Sequence, residues 1–570
     1  MAGLRGWAET AELIRATSKT SQKVTILAEY LPALDHEALP LATVFLSGRP
    51  FPERDQRSTG LGWAAISAAA QEVARAGEGA LAAAYERSSD LGISVGALLA
   101  EVGHEPLSDR PPLTLAEVAE TWAALAAAGG RDARRAILKE LLARCDPLSA
   151  RYVTAILTGE LRIGLREGHL EAGIARAFSR PLAKVQWAGM LTGDIGRTAE
   201  LARDDALDSA RLSLFHPLKS MLASAVADEA EALARLSPPV WVEDKYDGIR
   251  AQLHKQAAAV AIYSRDLHDV TGQFPEVVAA ASATAWQGIL DGEILAWRDG
   301  AALPFLQLQA RLGRKRPSEA IQAQVPVIFV AFDLLAAGDP VEPLLRLPLR
   351  ERRRRLESLA LERTPGFGLA ALVTAQDAQA LGAIFDAAQA RGNEGLVIKD
   401  PDSGYAPGRR GYAWLKLKRA LTTLDCVVVG VEVGHGRRHG LLSDYTFAVI
   451  DDRPEAPEGH LVTIGKAYSG LRDAEIAEMT RWFEAHTLSR HGRYRVVEPS
   501  IVVEIAFDIV QRSSRHASWF ALRFPRSVRI REDKSPAESD RLSSVVALHE
   551  RLAVAGRYRV LAAGAKAAPA

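Results

Sequence analysis

The segment Val242-Glu243-Asp244-Lys245-Tyr246-Asp247-Gly248-Ile249-Arg250 sets a lysine among carboxylates, then a glycine turn and an arginine. A lysine amine is a nucleophile only when neutral, and its ordinary pKa of about 10.4 keeps it protonated at pH 7. Desolvation or neighbouring cations are expected to favour the neutral form here. Alone, the segment reads as a surface lysine before a turn. Five further segments, spaced along the chain after it, change that reading. Tyr263-Ser264-Arg265 ends the next strand. Leu290-Asp291-Gly292-Glu293-Ile294 places two carboxylates on one strand face, because side chains alternate along a strand. Val330-Ala331-Phe332-Asp333-Leu334 ends a buried strand with an aromatic and an acid. Glu394-Gly395-Leu396-Val397-Ile398-Lys399 flanks an apolar strand with an acid and a base, Lys399 being the weakest candidate. Trp414-Leu415-Lys416-Leu417-Lys418 sets two lysines on one face and leucines on the other. Together they supply a nucleophilic amine, carboxylates for a divalent cation, cations for a triphosphate and an aromatic to stack a base.

Elements of several kinds must hold these residues. At 570 residues the chain is long enough for three or four domains. Its 48% hydrophobic and 25% charged content is ordinary for a globular protein. The 70 Lys+Arg balance 70 Asp+Glu, so any polyanion partner must be met by local basic patches. Cys145 and Cys426 alone cannot build a four-cysteine zinc site or a disulfide framework, which fits a reducing compartment. The first nine residues lack a leader's apolar core, and no apolar run reaches the roughly 20 residues of a membrane helix. A soluble intracellular protein is expected.

The first ~210 residues read as helices. Thr114 and Glu117 form a capping box, with Leu115, Val118, Trp122 and Leu125 on one face. Gly129-Gly130 stops that helix, Ile137, Leu138, Leu141 and Leu142 mark the next, and Asp146-Pro147 opens a third. After the break at Leu236-Ser237-Pro238-Pro239, apolar runs at 289–297 and 325–335 predict buried strands, and 377–391 predicts a helix. Short strands at 425–433, 445–450, 460–468 and 501–510, with one helical insert between 471 and 490, predict a small β-barrel.

The ordered series resembles the six motifs of the covalent nucleotidyltransferases: ATP-dependent DNA ligases, RNA ligases and mRNA capping enzymes. A seventh segment, Arg529-Ile530-Arg531-Glu532-Asp533-Lys534, matches the last of these motifs and is preceded by Leu522-Arg523-Phe524-Pro525-Arg526, a run typical of DNA ligases. Gly159-Glu160-Leu161-Arg162-Ile163-Gly164-Leu165 is similar to a segment of the ligase DNA-binding domain, and His216-Pro217-Leu218-Lys219-Ser220-Met221-Leu222-Ala223 to the linker into the catalytic core. The likeness covers nearly the whole chain. It implies a multidomain fold: an all-α DNA-binding domain (1–212), an α+β adenylylation (nucleotidyltransferase, ATP-grasp-like) domain (213–419) and an OB-fold β-barrel (420–556). Residues 557–570 are expected to fray.

The resemblance also implies roles. Lys245 would form a Lys–AMP phosphoramidate from ATP. Glu243 would fix adenine and Phe332 would stack on it. Arg250 and Arg265 would hold ribose or phosphate, and Glu293 and Glu394 a divalent metal, Mg²⁺ or Mn²⁺. Arg410, Lys416 and Lys418 would contact the α-phosphate. Arg531, Asp533 and Lys534 would orient pyrophosphate when the barrel closes. AMP would pass to the 5′-phosphate of a nick in duplex DNA, and a monomer in the cytoplasm, at a bacterial nucleoid, is expected. Seven Lys/Arg against three acids in 391–419, and seven against two in 511–534, suit backbone binding blind to sequence. Arg311-Leu312-Gly313-Arg314-Lys315-Arg316 adds to them, as do Arg437 and Arg438. Arg162, Gly164 and Arg166 are candidates for a phosphate near a helix start, with a plain helix–turn–helix corner as the alternative. The run 350–355 reads as the solvated side of a helix. An RNA ligase or capping enzyme, an NAD⁺-dependent ligase and a catalytically dead nick binder are the rivals.

Overall fold

Capping and apolar spacing act first in the helical region. The computed structural model describes residues 3–107, 110–418, 422–434, 438, 440–552 and 558–562. Helices run from Leu4–Ala16 to Ile195–Arg203. The Glu117 N–H donates to Thr114 Oγ1 at 3.1 Å and the Thr114 N–H to Glu117 at 2.9 Å. The helix Leu115–Ala127 thereby starts with its orphan donors satisfied and buries Leu115, Val118, Trp122 and Leu125. Arg131–Ala143 and Pro147–Thr158 come next, the latter capped by Asp146. Trp7, Phe45, Trp122 and Tyr152 meet edge to face at 5.9–6.3 Å in the core they share. Among the described residues no helix is long and apolar enough to cross a membrane.

Strands begin at Leu222. One sheet has the order Leu222–Val226, Arg410–Lys418, Gly395–Lys399, Val240–Asp244, Val373–Ala375. Its apolar face (Val242, Leu396, Ile398, Leu415, Leu417) packs under Leu381 and Ala388 of the helix Ala378–Ala390, which Asp377 caps. A second sheet pairs Ile249–Gln256, Gly288–Arg298 and Val327–Ala337 in sequence. The expected strands and helix of this region are therefore present.

The last region pairs Thr422–Val433 with Leu442–Ile450 and with Val502–Phe507, and Leu442–Ile450 with Leu461–Ala467. The helical insert is Asp473–Ala485. No closed barrel is formed by the described residues, and the arrangement is consistent with an OB-fold. The run expected as one strand at 501–510 is two, because the chain leaves the sheet at Asp508 and Ile509–Arg512 pairs instead with Phe520–Arg523.

Two expectations fail. The tail does not fray throughout: Val560–Leu561 pairs antiparallel with Phe367–Ala370, covering the edge of the second sheet. The helix Leu349–Ser358 is not simply basic outside, since Arg352 and Arg353 are buried and only Arg350, Arg354 and Arg355 face solvent or surface acids. Arg352 forks onto Asp333 at 2.8 and 2.9 Å, with both side chains fully enclosed.

Candidate active site

Strand alternation and register assemble the cleft. Lys399 lies opposite Trp241 on one side and Trp414 on the other; Val397 lies opposite Glu243 and Lys416; Gly395 lies opposite Lys418. Residues two apart share a face, so Glu243, Lys399, Lys416 and Lys418 face away from the apolar core just described. Lys245 comes directly after, its N–H bonded to Gly395 O at 2.9 Å. Gly395 has no room for a side chain: a methyl there would run into Leu417 O.

Glu394 receives both ammoniums, Lys245 on one carboxylate oxygen and Lys418 on the other. The three side chains are only partly exposed, at 22%, 31% and 32% for Lys245, Lys418 and Glu394. Burial pulls the Lys245 pKa down, but Glu394, with Asp247 and Glu293 behind it, more than offsets this and leaves it above the ordinary lysine value. The expectation of a favoured neutral amine is thus not met in this state, because the acids around the lysine outweigh its desolvation. Lys416 behaves oppositely. Burial lowers its pKa, and the charges of Lys418, Arg410, Lys245 and Arg265 add to the lowering.

The second sheet supplies the other wall. Burial pushes Glu293 up to about 8, with Lys245 and Arg250 opposing and Asp247 and Asp291 assisting. Asp291, on the same face, does a different job. It takes a fork from Arg250 at 2.7 and 3.2 Å and the Tyr405 hydroxyl at 2.7 Å. Arg250 also donates to Met221 O at 2.6 Å, so it is tied to the frame and lies over the rings of Phe332 and Trp414 at 5.4 and 5.7 Å. Phe332 is the extra residue where register shifts: Asp291 pairs with Asp333, but Gly292 with Ala331. Such a bulge re-aims a side chain. Phe332 meets Trp414 edge-on at 6.1 Å, and the Lys399 ammonium sits between them, 4.8 and 4.3 Å from the two rings. Lys399 is buried and pairs with Glu243 at 2.6 Å, so this weakest candidate lies at the centre of the aromatic slot.

Other expected residues lie apart. Arg531 and Lys534 are both bonded to Asp425 within the C-terminal region, at 2.7 and 2.6 Å, and Arg531 also holds Asp533. The C-terminal residues whose charges reach the Lys245 loop are instead Arg523, which lowers the Asp247 pKa, and Asp508, which raises it. Arg162 is engaged by Ser89 O, Asp90 and Glu160. Gly164, at φ +64°, abuts Lys23, whose ammonium caps the turn at Ile163 O. Arg166 precedes the helix Glu167–Ala177 and is exposed. Arg438 pairs with Asp473 at 3.0 Å, and Arg437 lies outside the described residues. Three members of the basic runs are interior: Arg391 on Asp244, Arg311 on Glu276 and Lys399. Sequence reasoning missed Trp414 and Tyr405 as aromatic walls, and gave no sign of Tyr558 and Arg559 beside the loop.

An amine, two carboxylates and a ring of cations can do phosphoryl chemistry, where stabilising charge is the main task. Comparison with known proteins agrees. The model described as DNA ligase N terminus matches residues 5–175, that of the ATP dependent DNA ligase domain 220–418, and that of the ATP dependent DNA ligase C terminal region 438–534. A "Probable DNA ligase" of Koribacter versatilis is 47% identical over 557 residues, 94% of each chain. A "Probable DNA ligase" of Opitutus terrae is 43% identical, and the match spans 98% of this chain but 63% of that longer one. The "DNA ligase" of Methanopyrus kandleri is 34% identical, covering 96% and 98%. The solved structure "Pmar-Lig_PreS3" shares the fold, with a TM-score of 0.51 over 92% of this chain and 99% of that one at 16% identity. Fold and matches alike define a DNA ligase. The chain belongs to the ATP-dependent DNA ligase family, whose general activity is sealing nicks, and the RNA-ligase, capping and NAD⁺ readings fall away.

Proposed function

We propose that this chain seals nicks in duplex DNA, as a monomer in the cytoplasm, through adenylylation of Lys245. The amine attacks the α-phosphate of ATP; a P–N bond forms, the α–β phosphoanhydride breaks, pyrophosphate leaves and the amine gives up its proton. AMP then passes to the 5′-phosphate of the nick, and the 3′-hydroxyl displaces it. The observation that carries this reading is Glu394 holding Lys245 and Lys418 together, with Lys416 on the same strand face as Lys418 and subject to the charges of Lys245, Arg410 and Arg265. Those cations would bind the α-phosphate and, with Arg250, the DNA phosphate. Phe332 and Trp414 would take adenine once Lys399 yields the slot, and Glu243, now held by Lys399, would read the base.

Glu293 and Glu394 fit a divalent cation such as Mg²⁺ or Mn²⁺. Both are hard oxygen donors, and the half-buried Glu293 carboxyl, pushed up to about 8, lacks a full counter-charge. No three-ligand cage exists among the described residues, which suits a cation that keeps waters and shares phosphate oxygens. When bound, it would neutralise phosphate charge. Arg531 and Lys534, with Asp533 beside them, would serve pyrophosphate only after the two cations leave Asp425. The domains would divide at 212/213 and 419/420, with Arg162, Gly164, Arg166, Arg437 and Arg438 contacting the DNA backbone.

The test is covalent labelling with α-labelled ATP and Mg²⁺. Label on the wild-type chain, absent from Lys245→Ala and released by nicked DNA with joining, is the expected result. No label from ATP, on protein free of bound AMP, would leave a nick binder without catalysis.

A further inference from the structure

The loop that carries Lys245 is held from a distant part of the chain. The Arg559 backbone N–H donates to Asp244 at 2.7 Å, and its guanidinium adds bonds at 3.0 and 3.3 Å. The Tyr246 hydroxyl donates to Arg559 O at 2.9 Å, and the Asp247 N–H to the Tyr558 hydroxyl at 3.2 Å. The rings of Tyr246 and Tyr558 meet edge to face at 5.3 Å. Residues 244, 246 and 247 all bind the same dipeptide, so the nucleophile is braced on both sides. The brace is itself anchored, because Val560–Leu561 extends the second sheet along Phe367–Ala370.

We propose that Tyr558 and Arg559 are positioning residues for the Lys245 nucleophile, an inference that rests on Lys245 being the group that takes AMP. Lys245 and Asp244 are neighbours on opposite strand faces. Asp244 is buried, and among the described residues Arg391 and Arg559 pair with it. Loss of the Arg559 guanidinium leaves that carboxylate half-compensated and frees the strand end from which Lys245 projects. Misplacing a nucleophile by even an ångström slows attack strongly. The brace also follows closely on the C-terminal region along the chain. Six residue steps separate Leu552, the end of the last barrel helix, from Tyr558, a reach of at most about 20 Å.

The test separates the steps in the full-length chain. Arg559→Ala is expected to slow single-turnover Lys–AMP formation at least tenfold. Joining of a nick whose 5′-phosphate already carries AMP, which needs no amine attack, is expected to stay within twofold of wild type. Arg559→Lys should recover most of the lost rate. Tyr558→Phe removes only the hydroxyl that receives the Asp247 N–H, should slow the same step severalfold, and decides the matter if Arg559→Ala does not fold. Equal losses in both steps, or no loss in either, would overturn the inference. A wild-type chain that takes label elsewhere than Lys245 would overturn the underlying reading, and the inference with it.

Discussion

The frame of the adenylylation domain and its cleft both contain carboxylates paired with cations, but they use different cations. In the frame the partners are arginines: Arg352 on Asp333, Arg250 on Asp291, Arg311 on Glu276, and Arg391 with Arg559 on Asp244. In the cleft the close partners are lysines, with Lys245 and Lys418 sharing Glu394 and Lys399 on Glu243, where Arg353 stands farther off at 4.0 Å. A guanidinium offers a rigid fork, stays charged and fits a carboxylate in two bonds, which suits a buried joint. An ammonium is a point charge that can release its partner and its proton. Where a carboxylate is sealed into a joint, its partner is the cation that cannot change; where it meets Lys245, its partners are the ones that can.

Replacing the reactive cation by the inert one is the sharpest way to break this contrast. Lys245→Arg keeps the charge beside Glu394 but has no usable nucleophile, so Lys–AMP formation should fall about 10⁴-fold or more. Melting should stay close to wild type; an adenylylated Arg variant would refute the division. Next comes Arg352→Met, which strands Asp333 inside the protein. Breaking such a sealed pair costs about 3–5 kcal/mol, measurable by urea unfolding. The folded fraction should still take label at a near-normal rate.

Glu394→Gln tests the cleft side. The amide holds neither ammonium's charge, so Lys–AMP formation should drop about 10²-fold. Because Glu394 is what raises the Lys245 pKa, the acid limb of the pH–rate profile should also move to lower pH. A profile that stays in place would show that the carboxylate does not govern the amine.

The smallest effect concerns a buried group that carries no charge. His254 accepts the Phe215 N–H at 3.1 Å, and burial, with His216 nearby, pushes it down to about 3. The unfolded chain binds this proton below about pH 6.5 while the native chain does not. Stability therefore falls as pH drops from about 6.5 towards 3, by about 2 kcal/mol at pH 5. His254→Gln should remove that slope from denaturation curves taken between pH 7 and 5.

The sequence by itself determined what depends on local order. The capping box at Thr114, the apolar spacing after it and strand alternation name the helices and the cleft strands, because periods of 3.6 and 2 are written in adjacent residues, and the motif order names Glu394 and Lys418, which meet at Lys245. Charge runs were a poorer guide. Arg311, Arg352, Arg391 and Lys399 stand in basic stretches yet lie inside, because their partners Glu276, Asp333, Asp244 and Glu243 come from other elements. Tertiary structure alone decided three further matters. The balance of burial against acids at Lys245 depends on how close Glu394 and Glu293 come once two sheets face each other. The aim of Phe332 depends on a register shift against its neighbouring strand. The brace from Tyr558 and Arg559 joins residues more than 300 positions apart along the chain, and no local pattern records a contact made only when the end of the chain returns to its catalytic loop.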